Sequence, residues 1–205
     1  MKKPVTAEAP SKDERIFAEA VRIFKEKGYH ATSVQDIADA VGLQKASLYH
    51  HFASKQDILL EILDGALDIL IADMQAVLDM DLPPEEQLRQ AMRAYISRVT
   101  QEASLAAVLQ LEHRNLDPRL RARHVTRRDK YDKLWRELIR RGIEAGAFRR
   151  LDERMVSFAL LGIQNWVITW YRPEGRLSAA EIADQFADMM LSGLRPADRR
   201  PSHEP

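Results

Sequence analysis

Over residues 33–52, SVQDIADAVGLQKASLYHHF, the spacing of apolar residues leaves the backbone little choice. Val34, Ile37, Ala38 and Val41 share one helical face. Gly42 interrupts it, Leu43 returns to the apolar side, and Leu48 with Phe52 starts a second apolar face. The pattern predicts two short helices joined by a tight turn. Ala38 suits a steep crossing, because a longer side chain would prop the helices apart, and Gly42 suits a turn residue with positive φ. A helical hairpin of no special role can share this spacing, but the charge pattern separates the two. Residues 41–56 contain no Asp or Glu, whereas Lys45, His50, His51 and Lys55 are cationic or titratable. A duplex carries dense negative charge, so a helix that docks on it should be free of carboxylates. Residues 44–51 therefore read as the second helix of a helix-turn-helix, offered to a DNA major groove.

Within that helix Gln44, Lys45 and Ser47 can hydrogen-bond to base edges, while Tyr49 and His50 can reach phosphate oxygens. Ser33 and Ala46 complete the expected DNA-facing set. Ser54 with Asp57 suits a capping box opening the next helix. Lys55 has two readings there: a phosphate clamp together with the backbone N–H groups of the helix start, or a solvated surface lysine.

The rest of the chain shows helical periodicity and no alternating strand, which predicts an all-α fold. Ser11 with Glu14 and Ser33 with Asp36 cap the first two helices. Later helices are expected over residues 54–79, 84–100, 102–111, 118–146, 152–170 and 178–193. The division that follows is a flexible arm (1–10), a three-helix DNA-binding domain (11–57), a helical ligand-binding and dimerisation domain (58–195) and a flexible tail (196–205). The chain has 205 residues, of which 45% are hydrophobic, enough for a sizeable core. It lacks cysteine and its first residues contain no apolar signal run, which points to the cytoplasm. Formal net charge is zero, so any affinity for DNA must come from local charge distribution.

Residues 155–171, MVSFALLGIQNWVITWY, carry no charge. At 1.5 Å per residue they span about 26 Å, short of a bilayer core, and Ser157, Gln164, Asn165 and Thr169 argue further against lipid. No membrane partner is expected. One face of this helix can meet the chain's own core and the other needs a partner. Paired with the last helix, which carries Ile182, Phe186, Met189, Met190 and Leu194, it predicts a four-helix interface in a homodimer.

Between Arg119 and Arg141 ten basic residues face only Asp129, Asp132 and Glu137. Tyr131, Leu134, Trp135, Leu138 and Ile143 form an apolar stripe along the same helix. Arg128, Tyr131 and Trp135, with Gln164, Asn165 and Trp166 of the uncharged helix, are candidate contacts for a ligand with a greasy tail and a phosphorylated head. The competing reading is a solvated basic face balanced by Glu85, Glu86, Asp64, Asp68 and Asp73, with ordinary core aromatics. His113 and His124 would lie about 16 Å apart on one helix, too far to share a metal, so both read as structural or surface residues. No metal or cofactor is expected, and no nucleophile–base pair or glycine-rich phosphate loop appears.

The run TSVQDIADAVGLQKASLYHHFASKQDIL resembles the TetR family of bacterial transcriptional repressors. The likeness extends from Ser11 to about Leu63 and includes Ile16, Ala20, Phe24 and Gly28. WYRPEGRLSA, residues 170–179, is similar to family members that sense CoA thioesters in fatty-acid or steroid breakdown. The resemblance implies a dimer that binds a palindromic operator and is released by a small hydrophobic effector, with an acyl-CoA as first choice. An aromatic or other lipophilic effector is the alternative, and a thioesterase-like enzyme the more distant rival. Acyl-CoA-sensing relatives often carry a charged residue where this chain has Gly162, a departure that bears on the effector.

Overall fold

A computed structural model describes residues 11–196. The expected arm and, apart from Pro196, the expected tail lie outside the described residues.

Three short helices come first. α1 (Lys12–Lys27) and α2 (Val34–Val41) open with complete capping boxes. Ser11 and Ser33 accept from the N–H of the residue three positions on, and the carboxylates of Glu14 and Asp36 accept from the serine N–H in return. Gly42 adopts φ 70° and ψ 33°, the left-handed conformation that a Cβ would strain. The next N–H, that of Leu43, bonds back to the Ala38 carbonyl at 2.9 Å, which reverses the chain into α3 (Lys45–His51). Ile16, Ala20, Ile37, Ala38 and Leu48 are completely buried where the three helices cross.

α4 (Lys55–Leu78) starts at Ser54 and belongs to two cores. Its residues Ile58, Leu59, Leu60, Ile62 and Leu63 pack with α1–α3, and Leu67, Leu70, Ile71, Met74, Val77 and Leu78 pack with the later helices. α5 (Pro84–Gln101) and α6 (Ala103–Leu111) follow. α6 is also shared: Val108 is buried in the first core, while Ala106 lies against the second. A short 3₁₀ turn (Glu112–Asn115) precedes α7 (Pro118–Glu144), which has Asp117 as N-cap and proline at its first position. Gly146, at φ 73°, ends it. α8 (Glu153–Trp170) and α9 (Ala179–Leu194) complete the described chain, and no β-strand occurs among the described residues. The expected helices are all present, with ends displaced only slightly.

One expectation changes. The turn at residues 112–117 folds His113 back, so its ring stacks on that of His124 with centroids 6.5 Å apart instead of lying three turns away. On α8, Val156, Leu160, Gln164 and Val167 are buried, whereas Met155, Phe158, Trp166 and Trp170 are exposed. No helix among the described residues is long and apolar enough to cross a membrane.

Candidate DNA-reading head and effector cavity

α3 presents Gln44, Lys45, Ala46, Tyr49 and His50 to solvent, with Ser47 half-buried beside them. Leu48 and Phe52 anchor the opposite face in the core. Gln44 is the N-cap residue but spends no side-chain hydrogen bond on capping, so its carboxamide is free. The Lys45 ammonium lies 5.9 Å from the centre of the Tyr49 ring one turn on, placing a cation and a phenol side by side. Carboxylates nearby are tied up. Hydrogen bonds from Ser33, then from Lys27, hold the Asp36 carboxyl down to about 2, and Asp39 accepts from Gln35 at 2.7 Å. Ser33 is exposed, with its hydroxyl engaged by Asp36.

Lys55 has a role that neither of its readings named. Its ammonium donates to the carbonyls of Tyr29 at 2.8 Å and Thr32 at 2.6 Å, and sits 4.2 Å from the Tyr29 ring centre. Burial draws this ammonium below the usual lysine range, with Asp36 opposing the shift. The side chain pins the α1–α2 turn to the start of α4 and is spent on the protein's own backbone. Two of its three N–H groups are used this way, unlike a free surface lysine.

The later helices enclose a cavity of about 910 Å³, within the range that houses small-molecule ligands. Leu67, Leu70, Val99, Leu109, Leu161 and Ile168 give it apolar walls. Arg114, Arg128, Lys133, Arg136 and Arg154 also line it, against two carboxylates, Asp129 and Asp132. Of the expected ligand contacts, Arg128, Tyr131 and Asn165 line this cavity. Trp135 does not: it is fully buried in the second core. Gln164 is also buried, donating to the Leu160 carbonyl at 3.0 Å. Trp166 points outward and is 64% exposed. Neighbouring positions on a helix differ by about 100°, so only Asn165 of these three consecutive residues can face the cavity.

The charge of α7 is partly balanced, by Asp64 and Asp68 of the expected carboxylates and by its own acidic residues. Asp64 takes Arg127 at 3.1 Å and Arg123 at 3.5 Å, and Asp68 takes Arg127. Asp73 binds Arg98 of α5, and Glu86 faces Arg89. Arg136 pairs with Asp132 at 2.8 Å, and Glu137 holds both Arg140 and Arg141. Arg128 and Lys133 pair with no carboxylate among the described residues, and both line the cavity. Sequence reasoning missed Tyr95, His113 and the α8 row Arg154, Phe158 and Leu161. Only that row left a signal, a four- and three-residue spacing that runs on to Asn165. No group of three or more potential metal ligands occurs among the described residues.

Residues 16–62 match the family model for bacterial regulatory proteins of the tetR family, and residues 81–194 that for the tetracyclin repressor-like C-terminal domain. The transcriptional repressor KstR2 of Mycobacterium tuberculosis is 33% identical over 193 residues, covering 93% of this chain and 96% of its own length. The TetR-family regulator PfmR of Thermus thermophilus superposes with a TM-score of 0.80 at 40% identity, over 89% of this chain and 100% of its own. AibR, solved with isovaleryl coenzyme A and operator DNA, gives a TM-score of 0.80 at 31% identity, over 87% of this chain and 97% of its own. These relatives are regulators, which sets the thioesterase reading aside. Between them the two models cover the helix-turn-helix and the helical region that follows it, and the chain belongs to the TetR family of DNA-binding transcriptional regulators.

Proposed function

We propose that the chain is a repressor that binds a palindromic operator as a homodimer in the cytoplasm and leaves it when an acyl-CoA thioester of fatty-acid or related catabolism enters the cavity. The observation that carries the effector is the pairing of apolar walls with Arg114, Arg128, Lys133, Arg136 and Arg154 in one space. A greasy acyl chain suits the walls, and guanidinium groups suit the phosphates of CoA. AibR, a structural relative, was solved with such a thioester and its operator. Gly162 lines the cavity, so the acidic or basic group often found there in acyl-CoA-sensing relatives has no counterpart at this position.

The dimer rests on the outward apolar row of α8, Met155, Trp166 and Trp170, together with exposed Met189 of α9, which would otherwise face water. Twofold pairing would set two copies of α3 one DNA turn apart, about 34 Å. Coupling runs through shared helices. Leu67 and Leu70 wall the cavity on the same helix whose Ile58–Leu63 segment is core to the reading head. Moving a DNA-competent population from 99:1 to 1:99 requires the effector to prefer the released state by about 5.5 kcal/mol. The test uses operator DNA selected from genomic fragments. Micromolar long-chain acyl-CoA should release the protein while the free acid does so poorly. Equal release by both, or by neither, would remove the CoA reading, and release by an uncharged aromatic alone would favour the alternative effector.

A further inference from the structure

Most of the cavity wall is apolar, yet three polar side chains from three helices meet within it: Tyr95 of α5, Tyr131 of α7 and Asn165 of α8. The two tyrosine rings stack with centroids 6.4 Å apart and 22° between their planes, and both residues are buried. The Tyr95 hydroxyl donates to Asn165 Oδ1. That bond leaves the Asn165 amide N–H groups without an acceptor among the described residues. Exchanging O and N in the carboxamide would instead leave the Tyr95 hydroxyl hydrogen and one amide N–H unspent. In either orientation at least one N–H of Asn165 is left for an occupant of the cavity. An occupant that displaces water from that N–H without replacing the hydrogen bond loses affinity, so one that supplies an acceptor is favoured over one that does not.

The position of the cluster is also informative. Arg154, Phe158, Leu161, Asn165 and Ile168 follow one another along the cavity side of α8. Eleven residues separate Arg154 from Asn165, about 16 Å along the axis. Arg154 thus stands at one end of this row and Asn165 near the other, in a cavity also walled by Leu67, Leu70 and Val99.

We propose that Tyr95, Tyr131 and Asn165 form a carbonyl-recognition station, so that the effector must carry a carbonyl oxygen in or next to its apolar part. The inference deepens the acyl-CoA reading and rests on it for the anionic head alone. The oxygen has two possible sources, the thioester carbonyl or a keto group farther along the acyl part. A saturated chain lacking both would fill the same volume and leave the donors stranded. The three residues then set specificity, while the cations hold any phosphorylated head.

Binding to the full chain, followed by calorimetry without DNA, tests this with two matched pairs. Dodecanoyl-CoA against its S-dodecyl thioether reads the thioester carbonyl. 2-Decanone against decane reads a keto group with no CoA present. In the wild-type protein the carbonyl-bearing member of at least one pair should bind roughly tenfold tighter or more. Asn165→Leu and the shape-preserving Tyr131→Phe should bring that ratio close to one, while affinity for the carbonyl-free partner stays nearly constant. Unchanged thermal melting of Tyr131→Phe guards against a folding artefact. Ratios near one in the wild type for both pairs, a preference that survives in Asn165→Leu, or binding by none of the four compounds would overturn the proposal. Loss of the CoA reading looks different: neither CoA derivative binds, while the ketone still outcompetes its hydrocarbon.

Discussion

Replacing Lys55 with methionine keeps the stem of the side chain and removes the ammonium, which makes its role measurable. Two carbonyls, those of Tyr29 and Thr32, lose their donor, and the Tyr29 ring loses a cation 4.2 Å from its centre. A hydrogen bond from a charged group is worth about 1.5–3 kcal/mol, and a cation–π contact of this kind about 0.5–1 kcal/mol. Both bonds share one half-buried donor, and solvent screens part of the gain, so the whole loss should be about 2–4 kcal/mol. That is a large share of the roughly 5–15 kcal/mol that stabilises an ordinary domain. Urea unfolding of Lys55→Met should therefore show a clearly lower midpoint. The decisive readout is the salt dependence of operator binding, taken where the variant is still folded. A phosphate contact would flatten the slope of log affinity against log salt by about 0.9, whereas a pin inside the protein leaves it unchanged. An unaltered unfolding midpoint together with a flatter slope would refute the reasoning and restore the phosphate clamp.

On the exposed face of α3, Lys45→Ala and Tyr49→Ala should each weaken operator binding, Lys45→Ala with a smaller salt slope, and neither should shift the melting temperature; unchanged gel-shift affinity for both would count against α3 as the reading helix. Trp166→Glu, which charges the exposed row of α8, should convert the protein to monomers by sedimentation without unfolding the chain, and an unaffected dimer would move the interface elsewhere. A Cβ at buried Gly142 would fall 2.1 Å from the ring of Phe148, so Gly142→Ala should destabilise by about 1–2 kcal/mol despite alanine's better helix propensity. Burial holds the imidazole of His124 below its usual range, against the pull of Asp64 at 3.1 Å. The unfolded chain then binds the extra proton first, so stability should fall as pH drops below about 6.5, by at most about 1.4 kcal/mol per pH unit from this group. Its surroundings include Arg123, Arg127, Arg128, His113 and Asp64, and the depressed carboxyls of Asp36, Glu137, Asp184 and Glu181 titrate only at lower pH. His124→Gln should flatten the pH 5–6.5 portion of the unfolding profile, and an unchanged slope there would exonerate the histidine.

The reading head is legible in the sequence because each of its determinants is local. The capping pairs at Ser11 and Ser33 span three residues, and the glycine turn at position 42 is closed by bonds to Ala38 and Asp39. Such rules need no knowledge of the rest of the chain. The cavity obeys none of them. Tyr95 occupies a position in α5 that looks like any other core position, and becomes a cavity residue only where Tyr131 of α7 and Asn165 of α8 meet it. Asn165 and Trp166 are equally compatible with an uncharged helix, and which of them faces inward depends on where α5 and α7 pack. The pinning role of Lys55 was hidden for a related reason. Its partners are main-chain carbonyls at Tyr29 and Thr32, and a carbonyl looks the same whatever side chain accompanies it. Side-chain patterns encode which atoms prefer to leave water. They are silent about voids, about backbone acceptors, and about which flank of an all-apolar helix is left over once the core is full. The effector's features must therefore be read from the assembled helices, and the reading head's can be read from twenty consecutive letters.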